Sequence, residues 1–571
     1  MDERPAESVC PPRRVKVAVV GSGLAGLTAA YLLSTAYQRV DIQFAKGRPV
    51  EFEVHIFEKA ETLGIDSHSV SLTLPGEAGK WRVDVPMRSF QGGYYPQLIA
   101  FYTRLGVLFR RSNFSYSFSF FDALPSHRTE ESEKDLVHRA SFAIHPTLIY
   151  DGASGSAGIS VPTVLKQVYT TFPRRTFRRA QAQLAFLFAF SVSMASLVFC
   201  FLRLQFLASP WLRGKSAREL SWAEWAERMT PRGPLAKMAG LDARWRAFVQ
   251  DVCIPLFSAV CTAPREDIED HPAEEFLDYI WQTFLTHHYV VSHGMRDVVA
   301  RLSSRIPASQ IHVGAPATAL LPDPHASGRV VIACGTGDSP ALHAGFDHVV
   351  LATQANHAAP LVAAYARALE QQQAVAAAAC ASRLSTCLSQ FEYRKTVVVN
   401  HTDDCLLPAN HGDRRDLNFV ISSSSEVDGK PTAADASGLL LPPTYTMATH
   451  MLPRPAGRAP GVAILQTTNP TIAPRPGSVL SVARLERALV TRASKAAVQS
   501  LCAEKDDRVN VGALQGVARR EHGSSAAGIW VVGSYAHSGI PLLEGCVASA
   551  REVVERGVLR CEGASVHDSP W

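Results

Sequence analysis

Gly21, Gly23 and Gly26 follow directly on the run Val15–Val20, and glycines at that spacing can hold a pyrophosphate. The run VKVAVV is β-branched and apolar, which predicts a short buried strand. The residues after Gly26, LTAAYLLSTAY, are strong helix formers. In such a strand–turn–helix, Gly21 permits the tight turn, Gly23 lets the backbone approach a phosphate, and Gly26 lets helix and strand pack closely. Ser22, Leu24 and Ala25 complete the turn, whose free N–H groups lie at the positive end of the helix dipole. A second strand is expected at Phe52–Phe57, and Glu58 at its end can accept hydrogen bonds from two ribose hydroxyls. Glu58 follows Gly26 by 32 residues, against the usual spacing of about 20. A polar insertion around Arg39–Val50 is expected to hold the excess.

Further segments extend this pattern over nearly the whole chain. Lys59-Ala-Glu-Thr-Leu-Gly64 follows Glu58, and Val83–Arg88 reads as a strand and turn. Val290–Leu302 and Phe346–Thr353 add a returning segment and a late strand. Near the C-terminus, Ile529–Val532 leads into Gly533-Ser534, Gly539 and then Glu544-Gly545. Together these segments resemble the FAD-dependent oxidoreductases of the flavin amine oxidase and phytoene desaturase superfamily. Ile65 and Asp66 stand where that family has a glycine and a basic residue, Pro86 where it has glycine, and Ser534 where it often has aspartate. The resemblance implies FAD as cofactor. It adds Glu58, Lys59, Gly64, Arg88, Ala317, Gly533, Ser534, Glu544 and Gly545 to the turn residues as candidate cofactor contacts. A helix beginning near Glu544 would aim its N–H groups at the flavin's pyrimidine edge. More narrowly, His401-Thr402-Asp403, Leu406-Leu-Pro408, Asn418 and Thr468-Asn469-Pro470 resemble a branch of FAD/NAD-binding flavoproteins often associated with lipid modification. Arg487-Ala488 lies roughly where that branch has His-Pro.

The elements that must position these residues imply an α/β fold. A Rossmann-like FAD-binding domain is assembled from discontinuous segments, 14–100, 285–375 and 515–560. A helical substrate or membrane-facing block at 101–284 and a β-rich substrate block at 376–514 are inserted between them. Residues 1–13 are expected to be a disordered N-terminus, and 561–571 a tail. Helices are predicted over Leu220–Met229 and Ala273–Thr286 from amphipathic spacing, and over Ala374–Ala379 from propensity. Cys334-Gly335-Thr-Gly337-Asp338 lacks a following helix and reads as a hairpin connection, not a second nucleotide site.

The chemistry expected of the remaining residues is proton transfer beside a flavin. His401 and Asp403 are two apart on a predicted strand, so alternation puts both on one face, as a proton-transfer or orienting pair. Alternatively, His401 closes a strand and Asp403-Asp404 forms a solvated turn. His68 and His537, in cofactor-facing loops, are rivals for the catalytic role. No GxSxG elbow exists, so a Ser-His-Asp hydrolase is excluded. The expected function is hydride transfer to flavin from a hydrophobic small molecule, as oxidation, desaturation or double-bond isomerisation. The alternatives are an amine oxidase that releases aldehyde and peroxide, and a non-catalytic flavin-binding scaffold. The electron acceptor is left open, with oxygen among the candidates.

Composition narrows the setting. The 571 residues are 47% hydrophobic and 19% charged, which excludes a disordered or collagenous chain. A formal charge of +5 over this length, with no basic stripe, argues against nucleic acid. Eleven cysteines without a CxxC suit a reducing compartment, with no metal site expected. The polar N-terminus carries no secretory signal, and the expected location is cytoplasmic. Leu184–Leu202 is uncharged over 19 residues and is preceded by Arg174, Arg175, Arg178 and Arg179. It reads either as a buried helix of the substrate block or as a segment docked on a membrane surface. A simple span would separate two halves of one cofactor site.

Overall fold

The computed structural model describes residues 12–39, 42–44, 49–64, 69–72, 80–123, 142–152, 157–163, 165–166, 177–335, 339–422, 438–453, 461–505 and 508–566. The chain begins with β1 (Arg13–Val20), α1 (Leu24–Ser34), β2 (Val50–Phe57) and α2 (Pro96–Arg104). A middle block holds β3 (Tyr116–Ala123), β4 (Phe142–Tyr150), β5 (Ile159–Ser160) and a long helix, α3 (Phe177–Ala208). Four shorter helices follow: α4 (Trp222–Arg228), α5 (Leu241–Phe248), α6 (Ile254–Cys261) and α7 (Ala273–Thr283). β6 (Ile311–His312) and β7 (His348–Leu351) return to the first domain, followed by α8 (Ala355–Gln371) and α9 (Val375–Leu388). Then come β8 (Tyr393–His401), β9 (Leu417–Ser422), β10 (Met447–Met451), β11 (Leu465–Thr468) and β12 (Val479–Ala488). β13 (Gly528–Val531) and α10 (Leu543–Glu552) close the first domain.

Five of these strands form one wholly parallel sheet, in the order β6-β2-β1-β7-β13. Both faces of such a sheet are covered, which is why its strands read as continuous apolar runs. Val15, Val17 and Val19 pack on one side with α1, while Ala18 and Val20 pack on the other with α8. Helix α1 is buried nearly all round because it lies between the sheet and α10.

The second sheet has eight strands in the order β5-β4-β3-β9-β10-β11-β8-β12. Only the β3–β9 pair is parallel, and it joins residues 116–123 to 417–422. The block at 101–284 is therefore not purely helical. Its three strands complete the sheet of the β-rich block, so the two insertions form one unit. The predicted helices appear at Trp222–Arg228, Ala273–Thr283 and Val375–Leu388. Strands Val330–Cys334 and Ala341–Phe346 pair antiparallel, as a hairpin requires; residues 336–338 of its connection lie outside the described residues.

Candidate cofactor and substrate site

Gly21 leaves β1 with φ +98°, a conformation side chains rarely tolerate. A Cβ at Gly26 would stand 2.0 Å from the Gly21 carbonyl oxygen and 2.9 Å from the Ala352 Cβ. Strand, turn and helix are thus in direct backbone contact. Gly23 is different, because nothing lies within 4 Å of where its Cβ would stand. No side chain caps α1 at Gly23, so its first N–H groups are left for a ligand or water.

Glu58 sits beside this opening. Its Oε2 accepts from the Ser22 N–H at 2.9 Å and the Ser22 hydroxyl at 2.5 Å, and its Oε1 from the Ala60 N–H at 2.9 Å. A carboxylate offers about four acceptor positions, so the partly exposed Glu58 keeps capacity for a ligand hydroxyl. The Ser22 hydroxyl also accepts from the Gly64 N–H at 2.8 Å, which brings Gly64 to the turn. Lys59 is exposed, and Ala317 begins a strand of a separate three-stranded sheet. Ile65, Asp66 and His68 lie outside the described residues.

The C-terminal turn is built the same way. The Gly533 N–H donates to the Ser549 hydroxyl oxygen at 3.0 Å. A Cβ at Gly545 would meet the Ser534 carbonyl oxygen at 2.7 Å, so α10 starts against that residue. The same helix, α10, packs along α1, which follows the first glycine turn. Elements from opposite ends of the chain, each following a glycine turn, therefore pack side by side. Glu544 requires a correction: its carboxylate accepts from the Gln97 and Leu98 N–H groups at 3.0 and 2.9 Å, capping α2 rather than facing a cofactor. Burial pushes its carboxyl up to about 7.

The inner face of the eight-stranded sheet closes the other side. Gln466 and Asn400 lie opposite each other in the ladder, and the Gln466 amide donates to Asn400 Oδ1 at 3.0 Å. Gln466 also bonds the 83–88 turn, accepting from the Met87 N–H at 2.5 Å and donating to the Asp84 carbonyl at 3.1 Å. His401 bonds Thr467, the neighbour of Gln466 in β11, and so lies on the face opposite the Asn400–Gln466 pair. Its Nε2 lies 2.7 Å from the Thr467 hydroxyl, and its Nδ1 accepts from the Asp403 N–H at 3.1 Å. Burial pushes the imidazole down to about 4.

Asp403 is also committed elsewhere. Burial alone would raise its carboxyl, but the N–H groups of Arg475 and Cys405 and the Arg475 guanidinium hold it below the usual carboxylate range. The expected catalytic pair is thus a buried structural network on the outer face. Strand alternation does not reach Asp403, which lies beyond the end of β8 at His401.

Arg88, expected as a cofactor contact, lies in the interior together with three residues that the sequence reading did not place at the site. Arg88, Arg487, Tyr279 and Cys546 are deep among neighbouring groups, yet each keeps part of its surface uncovered. Arg487 and Arg394 face each other across β12 and β8. Arg394 is neutralised by Asp267 through bonds of 2.7 and 3.0 Å, whereas Arg487 faces Cys546, Tyr95 and Cys261, with no carboxylate among its described neighbours. Desolvation lowers the pKa of both Arg88 and Arg487. An arginine at an inward position of a strand reading VLSVARLERA was the available signal.

Another set lies beyond the second turn. His537 Nδ1 is 3.7 Å from the Cys502 sulfur, whose thiol donates to Glu552 Oε2 at 3.3 Å. These three metal-ligating groups come together although no sequence motif announced them. Burial pushes His537 down to about 4.

No curated protein shows significant sequence similarity to the chain. Among solved structures, a protein of Exiguobacterium sp. 255-15 assigned as a protoporphyrinogen oxidase superposes with TM-score 0.47 at 13% identity, covering 95% of this chain and 98% of that one. An oxidoreductase from Methanosarcina mazei gives TM-score 0.44 at 13% identity over 94% of this chain and 100% of that one. Cyclohexylamine oxidase from Brevibacterium oxydans IH-35A gives 0.45 at 11% identity over 94% and 97%. Residues 19–105 match the family described as NAD(P)-binding Rossmann-like domain. That segment holds the end of β1, the glycine turn, α1, β2 and α2, and the parallel sheet around it is the one such a domain requires: this part of the chain has the Rossmann-like fold.

Proposed function

We propose that the protein is an FAD-dependent oxidoreductase that takes hydride from a hydrophobic small molecule. The observation that carries this reading is that α1, which follows the first glycine turn, packs on α10, which starts against Ser534 of the second. A dinucleotide fits that frame. The open backbone at Gly23–Ala25 would hold its phosphates, Glu58 a ribose, and Gly533-Ser534 the part reaching toward the second turn. FAD, when bound, supplies a hydride acceptor.

The chain's own residues shape what such a site would accept. Arg88 and Arg487 place positive charge in the interior, where it favours negative charge on a neighbouring group. Tyr95, Tyr116 and Tyr279 present rings there and stay protonated, because burial raises their hydroxyls above the ordinary range. Rings of this kind exclude water and suit an apolar ligand. His288 and His450 flank Phe114 with ring centroids 5.5 Å away in each case. Burial pushes both imidazoles down to about 4, so they are neutral at physiological pH. With His401 they are the neutral imidazoles this reading offers for taking a proton from a substrate.

Oxidation, desaturation and isomerisation share this frame, and amine oxidation is the second reading. Purified protein incubated with FAD should become yellow and keep the colour through gel filtration. Anaerobic bleaching by a candidate substrate then marks turnover. Peroxide with an aldehyde identifies amine oxidation, and a shifted diene absorbance without oxygen use identifies isomerisation. Flavin bands that no candidate bleaches would favour a scaffold. Protein that neither retains nor binds FAD refutes the proposal.

A further inference from the structure

Helix α3 is the feature this chemistry leaves unused. Its Ala180–Ala208 portion contains an 18-residue window of mean hydropathy 2.3, of which only 6% is buried. The described contacts with the body lie along its C-terminal half. Cys200, Leu204 and Ala208 are buried at four-residue spacing, and Arg244 bonds the Val192 carbonyl oxygen and the Ser196 hydroxyl. Ahead of Val192 no described side chain of the helix is buried, and Leu184, Leu187 and Phe188 are 68, 57 and 73% exposed. Because the apolar side chains run all round this stretch, a single protein face could cover only part of it.

The apolar surface continues onto the body beside the helix. Trp211, Leu235 and Met238 are 82, 76 and 82% exposed. Leu235 and Met238 belong to the short helix Pro234–Met238, which packs against α5, the same helix that carries Arg244. The exposed Lys237 lies between them. Tryptophan and lysine beside aliphatic residues are the composition of a membrane–water boundary.

Two observations decide the orientation. β3, before the helix, and α6, after it, are both held in one folded body: β3 pairs with β9, and α6 packs on that strand. The two flanks therefore cannot lie on opposite sides of a bilayer. Arg178 and Arg179 stand in the first turn of the helix, and charged residues are costly deep in hydrocarbon. A helix lying along the surface meets both conditions.

We propose that α3 embeds lengthwise in the interfacial layer of an anionic lipid membrane, without crossing it, and that the Trp211–Met238 surface rests on the same membrane. Arginines at the helix start would lie at headgroup level, where anionic lipid favours them.

The full-length protein should float with phosphatidylcholine vesicles containing phosphatidylserine, and more weakly with phosphatidylcholine alone. Replacing Leu184, Leu187 and Phe188 together by Glu touches no buried contact. It should leave the melting temperature unchanged and cut partitioning by about tenfold or more. Trp211 fluorescence, read against the Trp211→Phe protein, should be quenched by lipids labelled near the headgroup more than by lipids labelled at the chain end. Absence of flotation, or flotation untouched by the triple substitution, overturns the proposal. So does quenching strongest at the bilayer centre. Concentration-dependent dimerisation that the triple substitution abolishes, with no lipid binding, would instead assign the helix to a second copy of the chain and equally overturns it.

Discussion

Two alanine substitutions three residues apart should separate folding from cofactor binding. At Gly26 the new Cβ would be 2.0 Å from a backbone oxygen and 2.9 Å from the Ala352 Cβ. Neither atom belongs to a flexible side chain, so α1 must move off β1. Overpacking of this kind costs about 1–3 kcal/mol or more, which lowers Tm by roughly 2–4 °C per kcal/mol in a domain of this size. At Gly23 the new methyl would meet nothing within 4 Å, and the backbone there (φ −60°, ψ 177°) is open to any residue. The folding cost of Gly23→Ala is about that of a poorer helix cap, on the order of 0.5–1 kcal/mol. That methyl would occupy the space through which a phosphate approaches the backbone.

Thermal unfolding of the flavin-free proteins, followed by FAD titration and gel filtration, reads both effects. Gly26→Ala should melt well below the parent, and Gly23→Ala close to it. Gly23→Ala should nonetheless lose most FAD retention. If it folds and holds FAD like the parent, the turn is not the phosphate site and the functional reading built on it fails.

Other perturbations test the remaining framework. Glu562 gathers Arg13, Arg519 and His348 in the core; burial raises its carboxyl, but the His348 and Arg519 partners hold it well below the usual range. Its contribution is therefore present above the ordinary carboxylate pKa and lost as pH falls. Glu562→Gln should cost about 3–5 kcal/mol at neutral pH and flatten the acid limb of the Tm–pH curve. Glu552 behaves oppositely: burial pushes it up from 4.5 to about 8, so its stabilisation is full below pH 4.5 and lost as pH rises through about 8. Glu552→Gln should raise Tm at about pH 9 relative to the parent and reduce the slope between neutral and alkaline pH. His401→Ala removes a buried partner of Thr467 and should lower Tm by an amount matching about 1–3 kcal/mol, while the folded fraction keeps the parent's pH–rate profile. A changed profile would restore a catalytic role to that histidine.

The legible parts of this protein are those encoded within a few consecutive residues. Val15–Gly26 announces strand, turn and helix because β-branching, glycine freedom and helix propensity all act locally, and the structure has them at Arg13–Val20 and Leu24–Ser34. The helices at Trp222–Arg228 and Ala273–Thr283 were visible for the same reason. His401 shows where local reasoning ends. Alternation states that neighbours in a strand face opposite ways, but not which face meets a cofactor; Asn400, one residue earlier, holds the inner position. Glu544 stands at the start of its helix as expected, yet α2 draws its carboxylate away. Nothing near residue 544 in the sequence names residues 97 and 98 as its partners.

By itself, then, the amino-acid order determined a glycine turn able to receive a phosphate, a second turn of similar kind, and a helix too apolar to be an ordinary surface helix. Only the tertiary structure decided that α1 packs on a helix that starts against Ser534, that Arg487 lies inside with no carboxylate among its described neighbours, and that most of α3 is left uncovered. The reason is physical. Backbone sterics and propensity act between adjacent residues, whereas charge pairing, burial and the facing of sheets depend on segments brought together only when the whole core packs.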